Sequence, residues 1–120
     1  MADSLNKFFK SFSYALKGIW SSIGDQRNLK VQFLIALITV GAGFYFHISQ
    51  IEWCIILVTI ASVIGLEMMN SAIENLVDLV TRQHDPLAGK VKDIAAGAVL
   101  FASLLAVIIG VLVFKKYLMH

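Results

Sequence analysis

Three stretches without a single Asp, Glu, Lys or Arg dominate this chain: Val31 to Gln50, Trp53 to Leu66 and Ile94 to Phe114. A helix needs about 20 mainly apolar residues to cross the hydrocarbon of a bilayer. The first and third stretches reach that length unaided. The second reaches it once its polar continuation is included, with the acids there lying toward the end of the span. Of the 120 residues 58% are hydrophobic and mean hydropathy is +0.79, too apolar for an ordinary soluble domain and too short for more than one. The sequence predicts an all-α membrane protein, a single domain over 1–120, with transmembrane helices at about 31–48, 52–80 and 93–115.

The placement of Lys and Arg orients short-looped membrane proteins. Lys7, Lys10, Lys17, Arg27 and Lys30 precede the first span, and Arg82, Lys90 and Lys92 lie between the second and third. The connection Ile48 to Glu52 holds no base. A cytoplasmic N-terminus and a cytoplasmic second loop are therefore expected, with Lys115 and Lys116 on the far side as the one discord. The first apolar run begins only after a polar, basic and amphipathic segment, so no cleavable signal peptide is expected. In that segment Leu5, Phe8, Phe9, Phe12, Leu16, Ile19 and Trp20 recur at helical spacing, with Lys7, Lys10 and Lys17 between them. This is the pattern of an amphipathic helix lying in the membrane interface, at about 4–22.

Ser21 to Arg27, polar and containing Gly24, reads as a turn into the first span. Arg82 to Gly89 contains Pro86 and reads as a surface loop. Gly41, Gly43 and the run Ala95-Ala96-Gly97-Ala98 allow close helix contact. Cys54 is the single cysteine, so an intrachain disulfide is excluded, and it is expected against lipid or a neighbouring helix. His47 is expected at a membrane boundary, His84 in a loop and His120 at the chain end; the three lack metal-ligand spacing.

The second span carries the chemistry. Glu67, Asn70, Ser71, Glu74 and Asp78 are separated by threes, fours and sevens, which stacks them on one helical face. No Lys or Arg lies between Trp53 and Thr81. A carboxylate at the centre of a bilayer costs roughly 2.5–3.5 kcal/mol on insertion scales. Such a stripe must protonate, reach the headgroup layer, meet a cation from elsewhere in the fold, or bind a metal. Intramembrane acids are functional by default. Asp78 admits several roles: a cap, a pair with Arg82 one turn later, or a place near phosphate. Lys92-Asp93 by itself fits an interfacial pair at a helix start, with Asp favoured there by the helix dipole. Tyr14 and Trp20 by themselves fit interfacial aromatics.

The run Glu67-Met68-Met69-Asn70-Ser71-Ala72-Ile73-Glu74-Asn75-Leu76-Val77-Asp78, followed by Leu87-Ala88 and by Lys92-Asp93-Ile94-Ala95-Ala96-Gly97-Ala98-Val99-Leu100, resembles the small prokaryotic diacylglycerol kinase family, which includes the undecaprenol kinases. The resemblance covers nearly the whole chain, including Lys17-Gly18 and Arg27-Asn28. It implies a homotrimeric bundle in the bacterial inner membrane, each protomer having a surface helix and three spans. The active sites lie between subunits at the cytoplasmic interface. The implied reaction moves the γ-phosphate of MgATP onto the hydroxyl of a lipid alcohol, undecaprenol or diacylglycerol. ATP, the lipid and the bilayer are the implied partners, with no nucleic acid. By resemblance Glu67 is the general base and Asn70 supports the site. Glu74 binds the magnesium carried by the nucleotide. Lys92 and Asp93 contact ATP, and Lys7 and Tyr14 close the nucleotide site from the surface helix. Glu67 meets the lipid headgroup, with Lys17 and Trp20 beside it. The wording from Ile73 to Thr81 and the short N-terminus lean toward the undecaprenol kinase branch.

The residues agree with that chemistry. Phosphoryl transfer asks mainly for positioning and charge neutralisation, and a carboxylate within reach helps remove the proton of an alcohol. Glu74 lies about 10 Å along the axis from Glu67, at 1.5 Å per residue. One end of the stripe can thus hold metal-bound phosphates while the other meets the lipid. There is no Walker A sequence and no protein-kinase signature, so neither of those nucleotide sites is present.

The chain also departs from the family pattern. Gln26 stands where the family commonly has a metal-binding Glu, with Asp25 beside it: either Asp25 substitutes at the metal, or magnesium binds more weakly, or Gln26, otherwise a metal and ATP contact by resemblance, holds only a water. Asp85, preceded by His84, stands where a His often precedes the Pro-Leu-Ala step, and both fall on the adenine side by resemblance. Lys30-Val31-Gln32 replaces a basic-then-His element, so no His role is carried over. Two rivals use the same stripe: an oligomeric cation or proton pathway, and a membrane scaffold with the acids as its seam. The acids cluster toward one end of their span, and the other two spans carry no charged partner across the bilayer, which argues against a pore.

Overall fold

The computed structural model describes residues 1–119; His120 lies outside them. The chain forms four helices: α1 (Ala2–Asp25), α2 (Arg27–Phe46), α3 (Gln50–Val80) and α4 (Pro86–Leu118). No strand occurs among the described residues. The last three helices are each long and apolar enough to cross a membrane. α3 packs chiefly on α4, and α2 lies more lightly on α3.

The helix boundaries differ from expectation at two joints. No extended turn separates α1 from α2. α1 runs on through Gly24 to Asp25, and Gln26 alone is extended, with φ −111° and ψ 116°. α4 begins at Pro86 rather than near residue 93. Proline ends a helix from within but suits its first position, where its missing N–H would be unpaired anyway. Asp85 completes the start: its Oδ1 accepts from Leu87 N at 2.8 Å and Ala88 N at 3.2 Å. The loop is therefore shorter than Arg82 to Gly89.

The α2–α3 connection is a tight corner. His47 closes α2 in the left-handed region, φ 54° and ψ 53°. The Ile48 N–H returns to Gly43 O at 3.2 Å and the His47 N–H to Phe44 O at 3.4 Å, a Schellman ending with histidine in place of the usual glycine. Ser49 and Glu52 then form a reciprocal capping box on α3. At this end Ile48, Ile56 and Val113 form a small apolar core, wrapped by Phe46, Trp53, Phe114 and Tyr117. Glu52 sits against it, accepting from Tyr117 Oη at 2.5 Å and pairing with Lys116 Nζ at 3.0 Å. One of the two discordant lysines is thus matched by an acid from α3.

Candidate active site

The stripe occupies the opposite end of α3 from that corner. Glu67 is 3% exposed and Ser71 5% exposed, while Asn70, Glu74 and Asp78 are half-buried. Their spacing on one continuous helix places them in a row. The Ser71 hydroxyl donates to the Glu67 carbonyl at 3.1 Å, satisfying itself within the helix and leaving the Glu67 carboxylate untouched. That carboxylate receives Gln32 Nε2 from α2 at 3.5 Å. Neither Glu67 nor Glu74 takes part in an ion pair among the described residues. Two buried oxygens, Gln32 Oε1 and Asn70 Oδ1, have no hydrogen-bond partner among the described residues.

Toward the end of α3 the row meets α4. Lys92 Nζ lies 2.7 Å from Asp78 Oδ1, with both side chains substantially exposed. Of the roles open to Asp78, the structure thus shows a pair with Lys92 and not with Arg82. α3 stops at Val80 and Thr81 is extended, so Arg82 is no longer on the helical face that carries Asp78. Asp93, His84 and Asp85 are exposed nearby in sequence, and Asp85 is engaged as the cap of α4. Asp25 is exposed and accepts from Ser21 Oγ at 3.4 Å. Gln26 is half-buried at the α1–α2 joint, its side chain unused in capping.

The residues expected from α1 are not gathered onto the row. Lys7, Tyr14, Lys17 and Trp20 are all exposed. Lys17 Nζ stands 5.9 Å from the centre of the Tyr14 ring. No hydrogen bond joins any of the four to the row among the described residues. The structure therefore brings together Gln32, Glu67, Asn70 and Ser71 as one group and Asp78 with Lys92 as a second. In the sequence Gln32 stands out only as the residue in place of the family's histidine. Its signal was its place as an amide in the first turns of an apolar span.

Three membrane-length helices and a buried carboxylate outside any ion pair among the described residues define a polytopic membrane protein with a polar row on α3. The chain belongs to the prokaryotic diacylglycerol kinase family, whose model matches residues 13–114. It is 44% identical to the undecaprenol kinase of Bacillus subtilis over 93% of this chain and 91% of that protein. It is 37% identical to a diacylglycerol kinase of a Synechocystis species, over 83% of this chain and 58% of that protein. It is 26% identical to the diacylglycerol kinase of Escherichia coli, over 85% of this chain and 84% of that protein. The protein is accordingly a lipid kinase, and the pore and scaffold readings of the stripe are not favoured.

Proposed function

We propose that this kinase transfers the γ-phosphate of ATP to the hydroxyl of a polyprenol of the undecaprenol type, at the cytoplasmic face of the inner membrane. The similarity to a protein named undecaprenol kinase, covering both chains almost entirely, supports this acceptor over diacylglycerol. A cytoplasmic N-terminus is supported by the eight bases flanking α2 and the α3–α4 loop on that side.

The observation that carries the reaction is the state of Glu67: buried, and held only by a neutral amide. With no cation to occupy it, this carboxylate is the base that takes the proton of the lipid hydroxyl. The O–H bond breaks toward Glu67 and the oxygen attacks the γ-phosphorus. The bond from the γ-phosphorus to the bridging oxygen then breaks, releasing ADP. Asn70, one turn along, supports the reacting groups. Lys92, aimed by Asp78, meets the phosphates, and Asp93, Lys7, Tyr14, His84 and Asp85 surround the rest of the nucleotide. Lys17 and Trp20 border the lipid headgroup from α1, which lies in the membrane interface.

Magnesium fits the donor set. No cluster of three or more His, Cys, Asp or Glu assembles among the described residues. Magnesium is commonly held by one or two carboxylates together with phosphates and water. Glu74, with Gln26 or Asp25, would hold it, and when bound it would neutralise phosphate charge.

Competition between undecaprenol and diacylglycerol in mixed micelles, following phosphate from ATP into extractable lipid, tests the acceptor. Preferential labelling of the polyprenol is expected; preferential labelling of diacylglycerol would reverse the assignment.

A further inference from the structure

We infer that Gln32 is the positioning residue for Glu67, an inference that rests on Glu67 being the base. Three observations carry it. Gln32 is the one side chain that reaches the Glu67 carboxylate among the described residues, across two helices and 35 positions of sequence. Its amide oxygen is buried and has no partner among those residues. It also lines a cleft of about 310 Å³ between α2, α3 and α4, whose walls are otherwise almost wholly apolar, among them Ile35, Ile60, Ile64 and Val107. The Thr39 and Thr59 hydroxyls on that cleft donate to carbonyls one turn back, at 2.8 and 2.7 Å, which leaves Ser103 and Gln32 as its polar side chains not engaged within their own helix.

The chemistry of an amide suits this place. A Lys or Arg here would occupy the carboxylate with a full counter-charge and compete with the substrate proton. A neutral N–H fixes one carboxylate oxygen, Oε2, and leaves the charge and the other oxygen for the alcohol. The 3.5 Å separation is long for a hydrogen bond, as catalytic contacts often are before substrate closes the site. The buried Oε1 has no partner among the described residues, so the amide is tied to no group other than Glu67. The alcohol donates its single proton to the Glu67 oxygen that Gln32 leaves free. Gln32 acts through the base it touches and takes no proton itself.

The test compares Gln32→Met, which keeps shape and loses both polar atoms, with Gln32→His, which restores a donor and an acceptor. Each is measured alone and with Glu67→Gln, in the full-length protein in micelles. Gln32→Met should lower kcat roughly 10–100-fold, the scale of a small misplacement of a reacting group. KM for ATP and thermal stabilisation by MgATP should stay unchanged, and His should recover part of the loss. In the Glu67→Gln background Gln32→Met should add nothing, because its partner is gone. Wild-type kcat in Gln32→Met, or losses that multiply in the double variant, would overturn the inference while leaving Glu67 in place. Full turnover in Glu67→Gln alone would instead remove the base, and the role of Gln32 with it.

Discussion

At the scale of single residues, the site is a division of labour among acids that look alike in sequence. Glu67 is buried beside an amide, whereas Asp78 is half-exposed and held by Lys92 at 2.7 Å. An exposed pair of that kind contributes about 0–1 kcal/mol to stability, so its consequence is where Lys92 stands. Replacing Asp78 by Asn should leave the thermal midpoint almost unmoved and raise KM for ATP severalfold, because Lys92 is no longer aimed. Lys92→Ala should go further and abolish stabilisation by MgATP, read by thermal shift. Glu67→Gln should cut turnover by about 10²–10⁴, the range for losing an acid–base group, with MgATP still stabilising the protein. The row Glu67, Asn70, Glu74 and Asp78 was legible because helical periodicity alone aligns it. Gln32 and Lys92 as partners were not, because an interhelical contact leaves no trace in the spacing of either helix.

At the scale of elements, three of the four helices follow from apolar runs, and their ends follow from capping chemistry. Ser49-x-x-Glu52 and Asp85-Pro86 are both start signals in the sequence. The apolar run alone marks only the membrane-spanning part of α4, from about 93, whereas Asp85-Pro86 starts the helix about two turns earlier. The α2–α3 corner adds a steric demand. A Cβ on Gly43 would stand 2.7 Å from Trp53 Cη2, 2.9 Å from its Cζ2 and 3.1 Å from Ile48 Cδ1. The indole ring is rigid and sits against the core, so it cannot yield locally. Gly43→Ala should therefore destabilise the protein by about 1–3 kcal/mol, the range for overpacking. Gly41, also flagged by its size, has nothing within 4 Å of such a Cβ, and Gly41→Ala should not strain the protomer. Thermal unfolding in detergent separates the two variants. Equal stability for both would mean the corner repacks around Trp53. At the same corner Tyr117→Phe removes one of the contacts of Glu52, whereas Glu52→Ala removes the capping box, the Tyr117 bond and the Lys116 pair together. The second should lower the midpoint further than the first.

At the scale of the whole molecule, one chain does not enclose itself. Its accessible surface is 9268 Å², against about 6,400 Å² for a compact soluble protein of this mass. Much of the difference is apolar side chain on α2, α3 and α4, and on α1 at Phe8, Phe9, Phe12 and Trp20. The molecule measures 54 × 48 × 21 Å. A bundle of three helices accounts for the long axis, since 33 residues of α4 rise about 50 Å. Lys7 and Tyr14 on α1 are exposed and make no hydrogen bond with the row among the described residues. A bilayer would cover part of this surface, and the closed ring of copies that the family resemblance implies would cover more and could supply α1 of one chain to the row of the next. That arrangement makes a specific prediction for mixed assemblies. Glu67→Gln protein carries an intact α1 and a dead row; a Lys7→Ala, Tyr14→Ala double variant carries the reverse. If each site joins the row of one copy to α1 of its neighbour, equal mixing in a three-membered ring restores both halves at about a quarter of the sites. Activity near that fraction of wild type should appear only after the two are denatured and refolded together, not after simple mixing of assembled protein. If every site is built from a single chain, no pairing can combine the intact halves and the mixture stays as inactive as its parents.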